Sequence, residues 1–219
     1  MRRCESLEIL DGNDVSSEEL MKSYKQLEKL QTWLGNTRAM LRLLRRSSEK
    51  INTVLDIGCG HGGLLMEIRK KLNVDVIGFD LRPAPHQSAV PIVTGNAVTD
   101  PLPDADVAVS MMMAHHLSEV ELDRLIQNVT RSCKRFILMD LVRHPVPLTL
   151  FRTFLAPGLR RINALDGETS IRRAFTADEM LRIVERALAA GNRPVKSVRH
   201  SVGPLWTRQI VDIVWEHAA

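Results

Sequence analysis

Alternating strand-like and helix-like segments predict a doubly wound α/β fold, a parallel sheet with helices on both faces, behind a helical N-terminal cap. Three observations carry this expectation. Between Ile51 and Asp140, short apolar runs alternate with segments whose apolar residues recur at helical spacing. Two helical segments precede the first strand, which a bare nucleotide-binding sheet does not need. Two further strand-like runs, joined through Gly203-Pro204, close the chain. The division that follows is a cap over residues 1–48 and a sheet domain over 49–219.

Each element has its own signal. Ser16-Ser17-Glu18-Glu19 has the form of a capping box. The helix it opens runs to about Leu34, with Leu20, Met21, Tyr24, Leu27 and Leu30 at helical spacing. Gly35-Asn36 ends it, and a second helix covers about Thr37 to Arg46. Ile51 to Ile57 is the first strand, and Gly62 to Leu72 is a helix whose N-terminus faces any ligand. Val74 to Phe79 and Ala89 to Val93 are the next two strands. Their connection, Leu81 to Ser88, is short for a crossover and carries two prolines, so its helix is expected to be missing or reduced to a turn. Asp106 to Ser110, Glu119 to Ser132 and Arg135 to Asp140 form strand, helix and strand. Pro145 and Pro147 then break the pattern. Leu148 to Leu155 reads as a short apolar helix, and Gly158 to Phe175 as Arg-rich and irregular. A second capping box, Thr176-Ala177-Asp178-Glu179, starts a helix to about Ala190. Val195 to Val202 and Arg208 to Trp215 are the closing strands.

The most informative stretch is Val54-Leu55-Asp56-Ile57-Gly58-Cys59-Gly60-His61-Gly62-Gly63. An apolar run ending in Gly-Cys-Gly is a strand entering a tight turn, where glycine lets a ligand approach the main chain. Gly58, Gly60 and Gly63 also fit the dinucleotide spacing, so NAD and S-adenosylmethionine both come into question. Asp56 separates them. A pyrophosphate seeks backbone N–H groups and a helix N-terminus, not a carboxylate. S-adenosylmethionine carries a sulfonium and an ammonium, which a carboxylate favours. Asp80 does not discriminate, because both ligands offer ribose hydroxyls.

Val54 to Gly60 followed by Asp80 resembles the glycine motif and following acidic residue of class I S-adenosylmethionine-dependent methyltransferases. The resemblance implies a seven-stranded Rossmann-like sheet with an antiparallel end, which the closing hairpin matches. It also implies a cofactor site. Asp80 would hold the ribose; Gly58, Cys59 and Gly60 would line the methionine end; and Asp56 would orient that end. Leu81 would pack on the adenine. Asn96, in Gly95-Asn96-Ala97, would accept from the adenine amino group, and Met111 would close the pocket after the fourth strand.

Candidates for the chemistry follow the fourth and fifth strands. His115, Leu117-Ser118 and Glu119 resemble the His-Asp-Trp-Ser-Asp segment of phenolic O-methyltransferases, with His116 in place of the aspartate and Leu117 in place of the tryptophan. The match implies His115 as general base, since an unperturbed imidazole is neutral and basic at cellular pH; His116 is expected to be the packed member of the pair. His144, at the end of the fifth strand, is a second candidate, and the bland alternative there is a mutual ion pair between Asp140 and Arg143. Trp33-Leu34-Gly35 with Arg38, and Asp166-Gly167 with Ser170 to Thr176, resemble small bacterial methyltransferases found beside type III polyketide synthases. That group implies a small, hydrophobic, phenolic or quinone-like acceptor, with oxygen favoured over carbon as the atom methylated.

Composition bounds the alternatives. At 219 residues, 44% hydrophobic and 26% charged, the chain can bury a full core and no more than one domain with a cap. No apolar run approaches a membrane span, and the N-terminus does not read as a signal peptide. Cys4, Cys59 and Cys133 have no metal-ligand spacing and are odd in number, so no metal is expected and the setting is a reducing, cytoplasmic one. The net charge of +4 pulls weakly toward anions. Arginines cluster at 42, 45 and 46, at 160 and 161, and at 172 and 173, but one Tyr and five Phe leave little to stack on bases. Two rivals remain: an RNA methyltransferase using those clusters, and a non-catalytic cofactor-binding module.

Overall fold

The computed structural model describes residues 1–12, 15–83 and 88–216. Two helices, α1 (Ser17–Trp33) and α2 (Asn36–Arg45), lead into β1 (Thr53–Ile57), α3 (Gly63–Leu72), β2 (Asp75–Asp80), β3 (Ile92–Thr94) and β4 (Ala105–Met111). Then come α4 (Glu119–Ser132), β5 (Cys133–Asp140), α5 (Pro145–Leu150), α6 (Arg161–Arg173), α7 (Ala177–Ala190), β6 (Val195–Val202) and β7 (Gln209–Trp215). The seven strands form one sheet in the order β3-β2-β1-β4-β5-β7-β6. The first five are parallel, and β7 runs antiparallel between β5 and β6. Strand order reverses between β1 and β4, and open α/β sheets bind ligands at the carboxyl ends of the strands beside such a switch point.

Side chains alternate across the sheet with the period of two that a pleat imposes. Leu55, Ala108, Phe136 and Leu138 face a core completed by Leu122 and Leu125 of α4 and Met180 and Ile183 of α7. Val54, Val107, Val109, Ile137 and Met139 face the other way, onto Met40 and Leu44 of α2 and Leu65 and Ile68 of α3.

The two N-terminal helices divide their work. α2 is a core helix, whereas α1 buries only Ser23 among its described side chains. The apolar face of α1 instead lines a cavity with Leu20, Tyr24, Leu27 and Leu30. Ser16 caps α1 as its sequence indicates, accepting from the Glu19 N–H at 3.3 Å. Ser118 with Glu121 on α4 and Thr176 with Glu179 on α7 close as reciprocal capping boxes.

The segment expected to be irregular after Gly158 is a helix, α6, over 13 residues. Asn163, Asp166, Gly167 and Ser170 are poor helix formers, and they leave no apolar stripe to read. Their work is polar: Asp166 accepts from the backbone N–H groups of Ile9 and Leu10 at 2.7 and 2.8 Å. Ser170 donates to Glu8 at 2.7 Å, and Arg173 donates to the carbonyl of His116 at 3.0 Å. Tertiary hydrogen bonds thus supply what propensity lacks, and they clamp the N-terminal segment over the sheet. The shortened crossover expected at Leu81 to Ser88 falls largely on residues 84–87, outside the described residues. No helix among the described residues is long and apolar enough to cross a membrane.

Candidate active site

A cavity of about 1090 Å³ opens over the carboxyl ends of β1, β2 and β4, roofed by α1 and residues 7–11. Nine residues expected at the cofactor line it: Asp56, Gly58, Cys59, Gly60, Asp80, Leu81, Asn96, Ala97 and Met111. Gly58 and Gly60 both lie at positive φ, +74° and +55°. A Cβ at Gly58 would stand 2.4 Å from the Met113 side chain, so glycine is required there by backbone and space alike. Asp80 holds the turn from beneath. Its carboxylate accepts from the Gly60 N–H at 2.7 Å and from the Arg82 N–H at 2.9 Å. Asn96 accepts from the Val98 N–H at 3.0 Å, an Asx-type turn that shapes the loop and leaves a second acceptor lone pair.

Asp56 is 2% exposed and makes no hydrogen bond among the described residues. Burial, reinforced by the nearby Asp80 charge, raises its pKa well above the ordinary carboxylate value. A buried carboxyl without a partner at the edge of a cavity suits a cationic ligand, and S-adenosylmethionine brings two positive centres. The residues present therefore fit that cofactor: Asp80 could hold the ribose, Asn96 the adenine, and the glycine turn with Asp56 the methionine end. Burial likewise raises the Cys59 pKa, which makes this thiol an inert wall and no nucleophile.

Sequence reasoning missed what α1 brings to the turn. The Glu28 carboxylate packs on Gly63, where a Cβ would approach it within 2.7 Å, and pairs with His61 at 3.2 Å. Tyr24 stacks on His61 at a centroid distance of 5.7 Å. Arg82 reaches from the end of β2 to the Tyr24 hydroxyl and the Leu10 carbonyl. These contacts join residues far apart in sequence, and no local motif announces them.

Of the two candidate bases, the structure brings His115 to the cavity and not His144. His144 accepts from the Val146 N–H at 3.2 Å, capping α5, and stacks on Trp206 at 4.5 Å. That is a structural position outside the cavity wall. Asp140 and Arg143 do not pair with each other either. Asp140 accepts from both the backbone N–H and Nδ1 of His115 at 2.7 Å, while Arg143 pairs with Glu179 and donates to the Ala174 carbonyl.

The histidine pair is also reversed from expectation. His115 is the packed member, 3% exposed, and His116 is part-exposed at the cavity edge. On its far side, His115 Nε2 lies 3.5 Å from a Glu8 carboxylate oxygen. Burial alone would lower the His115 pKa; the Asp140 and Glu8 carboxylates outweigh it and raise it to about 10. The neutral imidazole expected from an unperturbed pKa is replaced by one that holds its proton between two carboxylates. Glu8, which burial would push up, is held below its ordinary value by His115.

The seven-stranded order, the glycine turn and the acidic residue ending β2 define a class I methyltransferase, an enzyme that takes its methyl group from S-adenosylmethionine. Residues 27–187 match the methyltransferase-domain family, and the chain belongs to it. A search of curated proteins gives no match. Among solved structures, the chain is similar to the plantazolicin methyltransferase BpumL in complex with a monoazolic desmethylPZN analog and SAH. Identity is 12%, 90% of each chain is covered, and the TM-score is 0.68. It is also similar to a putative O-methyltransferase from Nostoc punctiforme, at 14% identity, 95% coverage of this chain and 66% of that one, with a TM-score of 0.59. The pyocyanin biosynthetic protein PhzM shares 16% identity over 80% of this chain and 53% of its own, at a TM-score of 0.55.

Proposed function

We propose that this methyltransferase acts on a hydroxyl of a small, hydrophobic, phenolic or quinone-like acceptor. One observation carries the reading. The apolar face of α1, Leu150 at the end of α5 with Phe151 and Leu155 after it, and Met111 to Met113 enclose the same cavity that the cofactor residues line. That side of the cavity is apolar, as a small hydrophobic ligand requires. A methyltransferase bound to a desmethylPZN analog and a pyocyanin biosynthetic protein, among the similar structures, are compatible with it.

S-adenosylmethionine, when bound, supplies an electrophilic methyl group with a good leaving group. The chain's own residues do the rest. Asp80 and the glycine turn fix one end of the site, and the α1 face fixes the acceptor. Positioning of this kind replaces much of the catalytic effort in an in-line displacement. The apolar walls exclude water, which would compete as acceptor. At the chamber wall, Glu8, His115 and Asp140 form a carboxylate–imidazole–carboxylate unit. The accepting atom is His115 Nε2 in the neutral form of the ring, with Asp140 holding the Nδ1 proton; the imidazolium must first give up its proton.

The basic clusters give the RNA reading little support. Arg160 pairs with Glu19, Arg172 with Glu168 and Arg173 with Asp11. The test is transfer of a labelled methyl group from S-adenosylmethionine to a panel of alkylated phenols and quinols, with tRNA alongside. Label in the small acceptors is the expected result. Label in tRNA alone, with steep salt dependence, would replace this reading.

A further inference from the structure

In the chamber wall, ligand-type atoms of Glu8, His115 and His116 converge. His115 Nδ1 lies 2.7 Å from Asp140, and His116 Nδ1 lies 3.0 Å from Asp11. A carboxylate accepts, so in the neutral form of each ring Nδ1 carries the proton and Nε2 presents a lone pair. Both Nε2 atoms face the same Glu8 oxygen, at 3.5 and 4.0 Å. All three ligand atoms lie within 4.8 Å of one another. In that neutral form the three atoms present lone pairs to one point, where a cation can stand.

We propose that Glu8, His115 and His116 bind one divalent transition-metal ion of the zinc class. Two imidazoles and a carboxylate form a donor set suited to such an ion. Outer carboxylates that hold Nδ1 and leave Nε2 free are the arrangement that orients histidine ligands at metal centres. Here both histidines have one. The third ligand is oriented too, since Ser170 donates to Glu8 at 2.7 Å. Ligands about 2.1 Å from a tetrahedral ion stand about 3.4 Å apart. The Glu8–His115 spacing already fits, and the part-exposed His116 ring has room to swing inward. Glu8, Asp11 and Asp140 bring three carboxylates to the cluster, against the guanidinium groups of Arg3 and Arg173 that hydrogen-bond to the His115 and His116 carbonyls.

Three protein ligands leave a coordination position open toward the chamber. An acceptor oxygen placed there would be polarised by the ion. That consequence rests on the proposed function; the binding of the metal does not. Cysteine spacing carries no hint of this site, because one ligand comes from residue 8 and the other two from the turn after β4.

The test uses the full-length, tag-free protein, stripped with a chelator and titrated with Zn²⁺ by calorimetry and with Co²⁺ by visible absorption. One equivalent should bind, with the d–d bands of a nitrogen–oxygen site. Glu8→Gln and His116→Gln should each weaken binding about tenfold or more. Both leave the His115–Asp140 pair in place, and unchanged cofactor affinity would show that the variants are folded. Absence of stoichiometric uptake, or equal affinity in all three proteins, overturns the site. Uptake that the substitutions weaken, with methyl transfer to phenols indifferent to the chelator, upholds the metal site and removes only its part in deprotonation.

Discussion

Asp56 is the side chain whose behaviour the cofactor should change most. Buried and without a partner, it favours its protonated form in the free protein, whereas a cationic ligand favours the carboxylate. Binding should therefore release a proton, and cofactor affinity should rise with pH until Asp56 ionises unaided. Calorimetry in two buffers of different ionisation heat counts that proton, and Asp56→Asn should abolish the dependence. The same shift has a sign for stability. Between the ordinary carboxylate pKa, about 3.9, and the raised value, the folded state keeps a proton that the unfolded chain has lost. Stability of the free protein should decline with rising pH across that interval. Asp80→Ala should weaken cofactor binding by roughly 1.5–3 kcal/mol, the scale of hydrogen bonds to a charged group; Asp80→Asn, which keeps an acceptor for the Gly60 N–H, should cost less. His115→Gln should lower turnover with a phenolic acceptor by about 10²–10⁴-fold with cofactor affinity nearly intact. Asp56, the glycines and Asp80 were legible because a strand-turn pattern places them in one short stretch. The partners of His115 were not: Glu8 and Asp140 are brought to it only by the fold, and its pKa follows from them.

At the scale of elements, α6 and the segment before α1 act together. Residues 8–11 are held by side chains of α6, so α6 sets the roof of the chamber from below. Asp166→Ala would leave the Ile9 and Leu10 N–H groups without acceptors. It should cost about 1–3 kcal/mol in stability and speed hydrogen exchange at residues 8–11, while the cofactor turn on the opposite wall keeps its affinity. Periodicity located α1, α4 and α7 because each has a capping residue and an apolar stripe. It failed at α6, where the buried face is polar and its partners lie in the N-terminal segment. Deletion of residues 1–34 should remove the α1 wall and abolish transfer. Deletion through α2 goes further, because Met40 and Leu44 belong to the sheet's core, and should cost soluble protein as well.

For the whole molecule, alternation of strand and helix was enough to foresee a doubly wound sheet, and the closing hairpin its antiparallel end. Strand order and the position of the switch point are tertiary facts that no single stretch of sequence announces, and they place the chamber where the glycine turn, the β4 turn and α1 meet. Charge was less informative than it looked, since three of the basic residues that suggested nucleic acid are spent on ion pairs within the fold. The chamber itself is the centre of the reading, and filling it is the most direct test. Leu155→Trp adds bulk on the acceptor side, away from Asp56 and Asp80. Steady-state transfer to an alkylated phenol should lose about tenfold or more in kcat/KM, in keeping with the sensitivity of apolar pockets to added volume, while calorimetry finds the S-adenosylmethionine Kd nearly unchanged. Unaltered transfer to the phenol in a folded Leu155→Trp protein would contradict the placement of the acceptor in this chamber.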